Sequence, residues 1–531
     1  MRHIIVLSGP MASGKSELAR RLADQHGVRR VSTSELIKQA KPDVSNDRAA
    51  MQAAGEALDR ESGGKWVASA LSELADGSGQ ANVAIDAVRI EAQIDALRDV
   101  FGTIVTHIHL TAADAELERR YMARPAEMRE FASYSEARES PTEAGVGALA
   151  AIADVVVQTD RCEQDDVFVR AVAQLSLYPR APFPLVDVLV GAQYGSEGKG
   201  NIAAHLAREY GVLVRVGGPN AGHKVAYPKR TFIHLPSGTE RNPSAKLILG
   251  PGATIDVKVL MEEIQACQVD AARLSIDPQA MVIEDSDKKW EEKRLGMMGS
   301  TKQGVGVATA RKILGRDERN VLGAKVRLAG DIIELKPFVR STAEELDRAY
   351  TARIPIMLEG TQGTTLSLHH GRWPHVTSRD TTTAGCLADA GIAPLWVRKV
   401  VMITRTYPIR VGGLSGYMKG EIDVATIAQR SGLPAGEIDA TEKASRTGRA
   451  RRIGEFDWAQ LRRSATINGP TDIALTFADY ISKGNQQARR FDQLSPESIV
   501  FIEEVERVTG VPVSLISTRF HLRNIIDRRS W

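Results

Sequence analysis

Residues 190–201 read VGAQYGSEGKGN, a glycine-rich turn directly after the apolar run VDVLV (186–190). A strand that ends in such a turn is how α/β sheets cradle phosphate. Glycines admit the tight backbone, amide groups point inward, and a lysine adds charge. A second loop of this kind, GPMASGKS, sits at residues 9–16 in the order strand, loop, helix. The two are not copies, since one reads GxxxxGKS and the other GSEGKGN. Two phosphate loops in a chain of 531 residues predict two domains, because one hydrophobic core rarely serves that length.

Strand-like and helical runs alternate through residues 1–175: IIVLSG, SELARRLADQHG, NVAIDAV, TIVTHIHL and ADVVVQT. That rhythm predicts a parallel sheet with crossover helices. YPRAPFPLVD (178–187) carries three prolines and breaks it. The expected organisation is an α/β chain of two P-loop-type domains, each a mostly parallel sheet: 1–177, a linker at 178–187, and 188–531.

An apolar share of 43% and a charged share of 25% are ordinary for a globular protein. A formal net charge of +3 argues against a nucleic-acid-coating role, and anionic small molecules need only local basic clusters. Cys162, Cys267 and Cys386 lie far apart with no CxxC spacing, so reduced structural thiols are expected. MRHIIVLSG is too short and wrongly flanked for a signal peptide, and no apolar run approaches the roughly 20 residues of a membrane span. A cytoplasmic enzyme with neither nucleic-acid nor membrane partners is the expectation.

In the first loop, Gly9 and Gly14 permit the turn, Lys15 places a charge at the β/γ phosphates and Ser16 is a candidate Mg²⁺ ligand. This region resembles small nucleoside- and deoxynucleoside-monophosphate kinases through the loop, AGEALDRESGGKWV (54–67), AIDAVRIEAQIDALR (84–98) and IADVVVQTD (152–160). The resemblance implies that Asp86 and Arg89 handle the acceptor nucleotide, and that Arg119, Arg120 and Arg124 form a basic lid, although such arginines also suit a solvated helix face.

The second loop is followed by VRVGGPNAGHKV (214–225), FIHLPSGT (232–239), GSTKQGVG (299–306), LEGTQGTTL (358–366), WPHVTSRDTT (373–382) and TYPIRVGG (406–413). Together these resemble adenylosuccinate synthetase, nearest its short archaeal and phage members. That family phosphorylates the 6-oxygen of a purine nucleotide from a nucleoside triphosphate with Mg²⁺, and aspartate then displaces the phosphate. The resemblance implies that Gly195, Gly198, Gly200 and Asn201 meet phosphate, that Lys199 supplies charge, and that His223 acts as acid or electrophile at the 6-oxygen. Gly222, through its carbonyl, would help hold Mg²⁺. Asn220, Thr301, Gln362 and Thr377 would hold the substrate nucleotide. Arg316, or Arg311 in a shifted alignment, would reach its phosphate from the partner subunit of a homodimer. Arg410 would grip the aspartate carboxylate with a fork lysine cannot copy. KASRTGRARRIGEFD (443–457), which alone reads as a solvated basic patch, would face anions in the active site.

Three departures stand out. The family's loop aspartate, base and metal ligand, is here Ser196, a poor base and a weak ligand. The same exchange marks the phage 2-aminoadenylosuccinate synthetases, which act on dGMP, and a shorter side chain leaves room for a guanine 2-amino group. Pro408 and Ile409 in the aspartate loop also resemble that branch. TFAD (476–479) stands where TKLD reads guanine, so Asp479 remains but Phe477 replaces the lysine stem. STRFHLRN (517–524) lacks the usual Gly-Pro turn, which leaves both ATP and GTP open as donor. Three readings follow: a ligase acting on dGMP or GMP fused to a kinase-like domain, an ordinary ligase acting on IMP with GTP, or a catalytically weakened nucleotide-binding regulatory protein.

Overall fold

The computed structural model describes residues 3–530 except 46–47, 76–81, 87, 126–128, 130, 141–142, 161–162, 176–182, 296–299, 318 and 443–450. The chain divides into two units between residues 180 and 181, inside the proline-rich stretch. The first strand of the second unit is Val186–Gly191, so the end of that stretch is already sheet. Cys162 lies outside the described residues. Cys267 is half-buried and Cys386 buried, both unbridged. No described helix is long and apolar enough to cross a membrane.

The first unit is a five-stranded sheet in the order Arg29–Ser32, Val83–Asp86, Ile4–Ser8, Val105–Thr111, Val155–Gln158. Every pairing is parallel. Its central strand, IIVLS, is buried at every position, as a strand covered by helices on both faces must be. Two apolar clusters cover those faces, one built on Ile4, Val6 and Ile85, the other on Ile5, Leu7 and Leu110. Alternate residues of one strand therefore serve opposite layers.

The second unit carries nine strands in the order Leu274–Ile276, Lys246–Leu249, Val212–Arg215, Ile356–Glu359, Val186–Gly191, Val397–Arg405, Asp472–Thr476, Val513–Ser517, Ile525–Asp527. Seven pairings are parallel and only the last is antiparallel. Two small elements beside this sheet gave no sequence signal strong enough to read. They are the hairpin His223–Ala226/Lys229–Phe232 and the antiparallel trio Ile409–Val411, Arg451–Gly454, Glu421–Ile422. Both carry site residues. In each unit the phosphate loop leaves a central strand and enters a helix through a left-handed glycine, Gly14 at φ 103° and Gly198 at φ 86°.

Beneath the first loop, Ser8 Oγ lies 2.6 Å from His107 Nε2 and 2.8 Å from His109 Nδ1, all three residues buried. Burial lowers both imidazoles, His109 to about 4. The folded state thus holds them neutral, while an unfolded histidine titrates near 6.5. Between those values the unfolded chain binds more protons, so stability is complete above about pH 6.5 and falls toward about pH 4. Hydrogen exchange of first-unit peptides is expected to accelerate over this window, and His109→Asn to remove a share of the slope, at most roughly 3.5 kcal/mol at ~1.4 kcal/mol per pKa unit.

Candidate active site

The second loop is organised by a carboxylate that sequence reading left unassigned. Glu197 Oε1 accepts from the Gln193 amide at 2.9 Å and the Gly195 amide at 2.8 Å, and Oε2 takes Lys199 Nζ at 2.6 Å. Both side chains are fully buried. The Gly195 amide, expected to meet phosphate, is therefore held by Glu197. Gly195 adopts φ +94°, and a Cβ there would sit 2.8 Å from Gln362 Cα, so the position needs glycine. Gly200 lets another element approach: a Cβ there would lie 2.7 Å from His223 Cβ.

His223 opens its hairpin and is buried. Its Nδ1 hydrogen-bonds Glu359 Oε1, and its Nε2 is buried with no partner. Burial, then Arg215, pull this imidazole down to about 4. Burial raises the Glu359 carboxyl, but Arg215 and His223 outweigh it and hold it at about 2. A neutral imidazole donating from Nδ1 to a carboxylate presents a fixed Nε2 lone pair; as an acid it must first take up a proton. Ser237 locks the dyad through its amide, 2.7 Å from Glu359 Oε2, and through its hydroxyl.

Three of the four expected substrate-nucleotide residues share one network. Gln362 Nε2 donates to Asn220 Oδ1 at 2.8 Å, and Asn220 Nδ2 donates to Thr377 Oγ1 at 3.2 Å. Gln362 holds φ +58°, costly for a residue with a Cβ by about 1–2 kcal/mol. Thr301 is not part of that network; it lies just before the helix Val305–Leu314, at whose start Glu291 accepts from the Gly304 and Gly306 amides. Arg316 is exposed. Arg311 does not serve in its place: it is wholly buried, forked onto Asp287.

Arg410 is buried against the Tyr194 ring at 4.7 Å, and its nitrogens donate to the Tyr417 and His375 carbonyls at 2.9 Å. Burial lowers its basicity, and no carboxylate pairs with it among the described residues. A buried cation served only by neutral groups fits an anionic substrate. Of the arginine-rich stretch, 443–450 lies outside the described residues; Arg451 faces Glu442 and Arg452 pairs with Glu421.

Where the donor was expected, a small cleft is lined by Gly198, Asn201, Thr476, Phe477, Ser517 and Phe520. Asn201 Nδ2 and Asp479 Oδ1 are both buried and unpartnered. Gln486 Nε2 donates to Asp479 Oδ2 at 3.2 Å, and burial pushes this carboxyl up to about 6.

In the first unit, Lys15 Nζ rests on the Gly9 and Pro10 carbonyls at 2.5 and 3.0 Å. Burial brings it to about 8, with Glu143, Asp86, Arg89 and Arg124 as its charged surroundings. Asp86 Oδ2 takes Arg30 at 2.7 Å while Oδ1 is buried and unpartnered. The Arg89 amide donates to Gln93, which donates to Asp59, fixing the loop. Of the expected lid, only Arg124 faces Lys15. Arg119 and Arg120 instead pair with Glu116 at 2.6 and 2.7 Å, because i, i+3 and i, i+4 spacing puts all three on one helix face. Glu143, whose Oε2 accepts the Met11 amide at 3.0 Å, carried no sequence signal.

The Glu197–Lys199 pair generates a direct expectation. Glu197→Gln leaves a buried ammonium without its counter-charge and should lower second-unit stability by about 3–5 kcal/mol. Denaturant titration reads it, and Glu197→Asp, which keeps the charge but shortens the reach, should fall between wild type and Gln.

The comparisons with known proteins meet this geometry. The family model for adenylosuccinate synthetase matches residues 188–323 and 325–486, and one described as an AAA domain matches 5–140. The adenylosuccinate synthetase of Pyrococcus horikoshii is 35% identical over 64% of this chain and 98% of its own length. That of Methanocaldococcus jannaschii is 34% identical over 65% of this chain and 96% of its own. Among solved structures, the succinoaminodeoxyadenylate synthetase of cyanophage S-2L, bound to dGMP and to dATP as energy donor, is 29% identical with a TM-score of 0.53, over 65% of this chain and 96% of that one. Plasmodium falciparum adenylosuccinate synthetase shares the fold at 21% identity and a TM-score of 0.56, over 65% of this chain and 100% of that one. The chain is a ligase of the adenylosuccinate synthetase family, carrying a P-loop, nucleotide-kinase-like domain before it.

Proposed function

We propose that the ligase unit joins L-aspartate to C6 of a guanine nucleotide, dGMP or GMP, giving a 2-aminoadenylosuccinate-type product. The observation that carries this reading is Ser196, standing in the phosphate loop where the family has aspartate. Its hydroxyl is smaller than a carboxylate and accepts a hydrogen bond, which suits a neighbouring 2-amino group. The cyanophage relative, solved bound to dGMP, supports the choice.

The chain's own residues divide the work. The Asn220–Gln362–Thr377 network holds the purine nucleotide. His223, oriented by Glu359, meets the 6-oxygen through Nε2 once that nitrogen has taken up a proton, and Arg410 receives the aspartate carboxylate. Among the described residues no cluster of three His, Cys, Asp or Glu side chains stands ready for a metal. In each unit separately, a Mg²⁺ ligated largely by phosphates and water would find hard oxygens: the Gly222 carbonyl and the Ser196 hydroxyl in the second, the Ser16 hydroxyl in the first. When bound, that ion neutralises charge on the transferring phosphoryl. On the donor side, Gln486 already occupies one oxygen of Asp479. The single open oxygen matches the one amino group of adenine better than the paired donors of guanine, so an ATP-type donor is favoured. In the first unit, Lys15, Asp86, Arg89 and Arg124 suit phosphoryl transfer to a nucleoside monophosphate.

The archaeal relatives, at 34–35% identity, favour a second reading, IMP with GTP. Phosphate release with aspartate and Mg²⁺, pairing IMP, GMP and dGMP each with ATP and GTP, separates the two. Mass spectrometry identifies the succinylated product. Turnover of dGMP or GMP over IMP by about tenfold or more is expected, as one well-placed polar contact supplies such a ratio. Ser196→Asp is expected to reverse the ratio, and IMP turnover alone by wild type overturns the guanine reading.

A further inference from the structure

Arg405 ends the strand Val397–Arg405 and is one of the two largest fully buried side chains described. Both terminal nitrogens and the face of its guanidinium are committed, while Nε is buried without a partner. Nη1 donates to the Ser196 carbonyl at 3.3 Å, and Nη2 pairs with Glu442 Oε1 at 2.5 Å. Its face lies over the Phe477 ring, 3.9 Å from the centroid, and 5.6 Å from that of Tyr480. The Tyr480 hydroxyl donates to the same Glu442 oxygen at 2.8 Å.

Phe477 is unusual in its own right. It holds φ +59°, which a side chain adopts only when its surroundings fix it. Its other neighbour is the phosphate loop: a Cβ on Gly198 would lie 3.7 Å from Phe477 Cε2. Thr476 Oγ1 donates to the Glu197 carbonyl at 2.7 Å, and Thr406 Oγ1 to the Phe477 carbonyl at 2.8 Å. The donor-side aromatic, the loop backbone at 196–198 and the end of this strand are therefore tied through one buried cation.

We propose that Arg405 is a positioning residue that ties the donor-base platform, Phe477, to the phosphate loop at Ser196, with Glu442 and Tyr480 as its anchors. Seating of the donor base then sets the loop geometry in which the phosphoryl group is transferred. A planar guanidinium presents a face and two edges at once; an ammonium presents neither a face nor a fork. The proposal rests on reading Phe477, which lines the cleft at the expected donor position, as the surface on which the donor base stacks, and the experiment separates the two.

The full chain is assayed by phosphate release with its preferred acceptor, aspartate and ATP, for Phe477→Leu, Arg405→Lys and the double variant, with melting temperature recorded. Phe477→Leu is expected to raise the donor KM about tenfold with kcat little changed, the mark of lost uniform binding. Arg405→Lys is expected to raise donor KM by a similar factor and also to lower kcat about tenfold, because the loop loses its hold at Ser196. In the double variant donor KM should be no worse than in Arg405→Lys, the signature of coupled rather than independent groups. An unchanged donor KM in Phe477→Leu overturns the platform reading. A raised donor KM there, with kinetics within about twofold of wild type in Arg405→Lys or with multiplying effects in the double, keeps the platform and overturns the tie. Should Arg405→Lys fail to fold, Tyr480→Phe, which removes one bond to Glu442, is expected to raise donor KM about threefold; no change overturns the tie.

Discussion

The second unit's glycine-rich loop is shaped by a buried carboxylate, Glu197, whose oxygens are taken up within the loop itself. It gathers two loop amides and the Lys199 ammonium where neither charge is exposed. Removing two charges from water is favourable only with close pairing and further hydrogen bonds, and both are present here. The loop shape is thus set before nucleotide arrives. Thr476 and Arg405 extend the arrangement by holding the carbonyls of Glu197 and Ser196 from behind. A preorganised loop has less to rearrange when phosphate enters, the condition under which dipoles act most strongly on a transition state.

The same logic governs His223. Glu359 is anchored on Ser237 and Arg215, so the imidazole it holds has one orientation and one free nitrogen. Arg410 completes the contrast. It has carbonyls and a tyrosine face but no carboxylate among the described residues. The internal charges that build the loop are closed into a pair, whereas Arg410, the residue proposed to receive an anion, meets only neutral groups.

Much of this was legible in the sequence. Both phosphate loops, the parallel sheets and the gathering of Asn220, Gln362 and Thr377 followed from motifs whose backbone requirements are local. What escaped was long-range. Glu359 pairs with His223 across 136 residues, and Arg405 reaches Ser196 across 209, so no spacing rule announces either contact. Arg119 and Arg120 misled for the opposite reason: Glu116 is only three and four residues away, and a helical ion pair satisfies them locally. Arg311 carries the same lesson, since a strong cation inside a motif is not thereby a ligand when Asp287 already neutralises it.

The two loops also differ in charge, and the difference bears on Ser196. Lys15 rests on carbonyl oxygens, so its positive charge is uncompensated by direct contact and free to meet phosphate. Lys199 is cancelled by Glu197, so the second loop is close to neutral before any ligand binds. An aspartate at 196 would make it net negative and would need a divalent cation to offset the repulsion with a triphosphate. Serine removes that repulsion and gives up the base with it. On the guanine-nucleotide proposal, handling of the purine proton would then fall to the substrate itself and to a buried, unpartnered imidazole nitrogen, His223 Nε2.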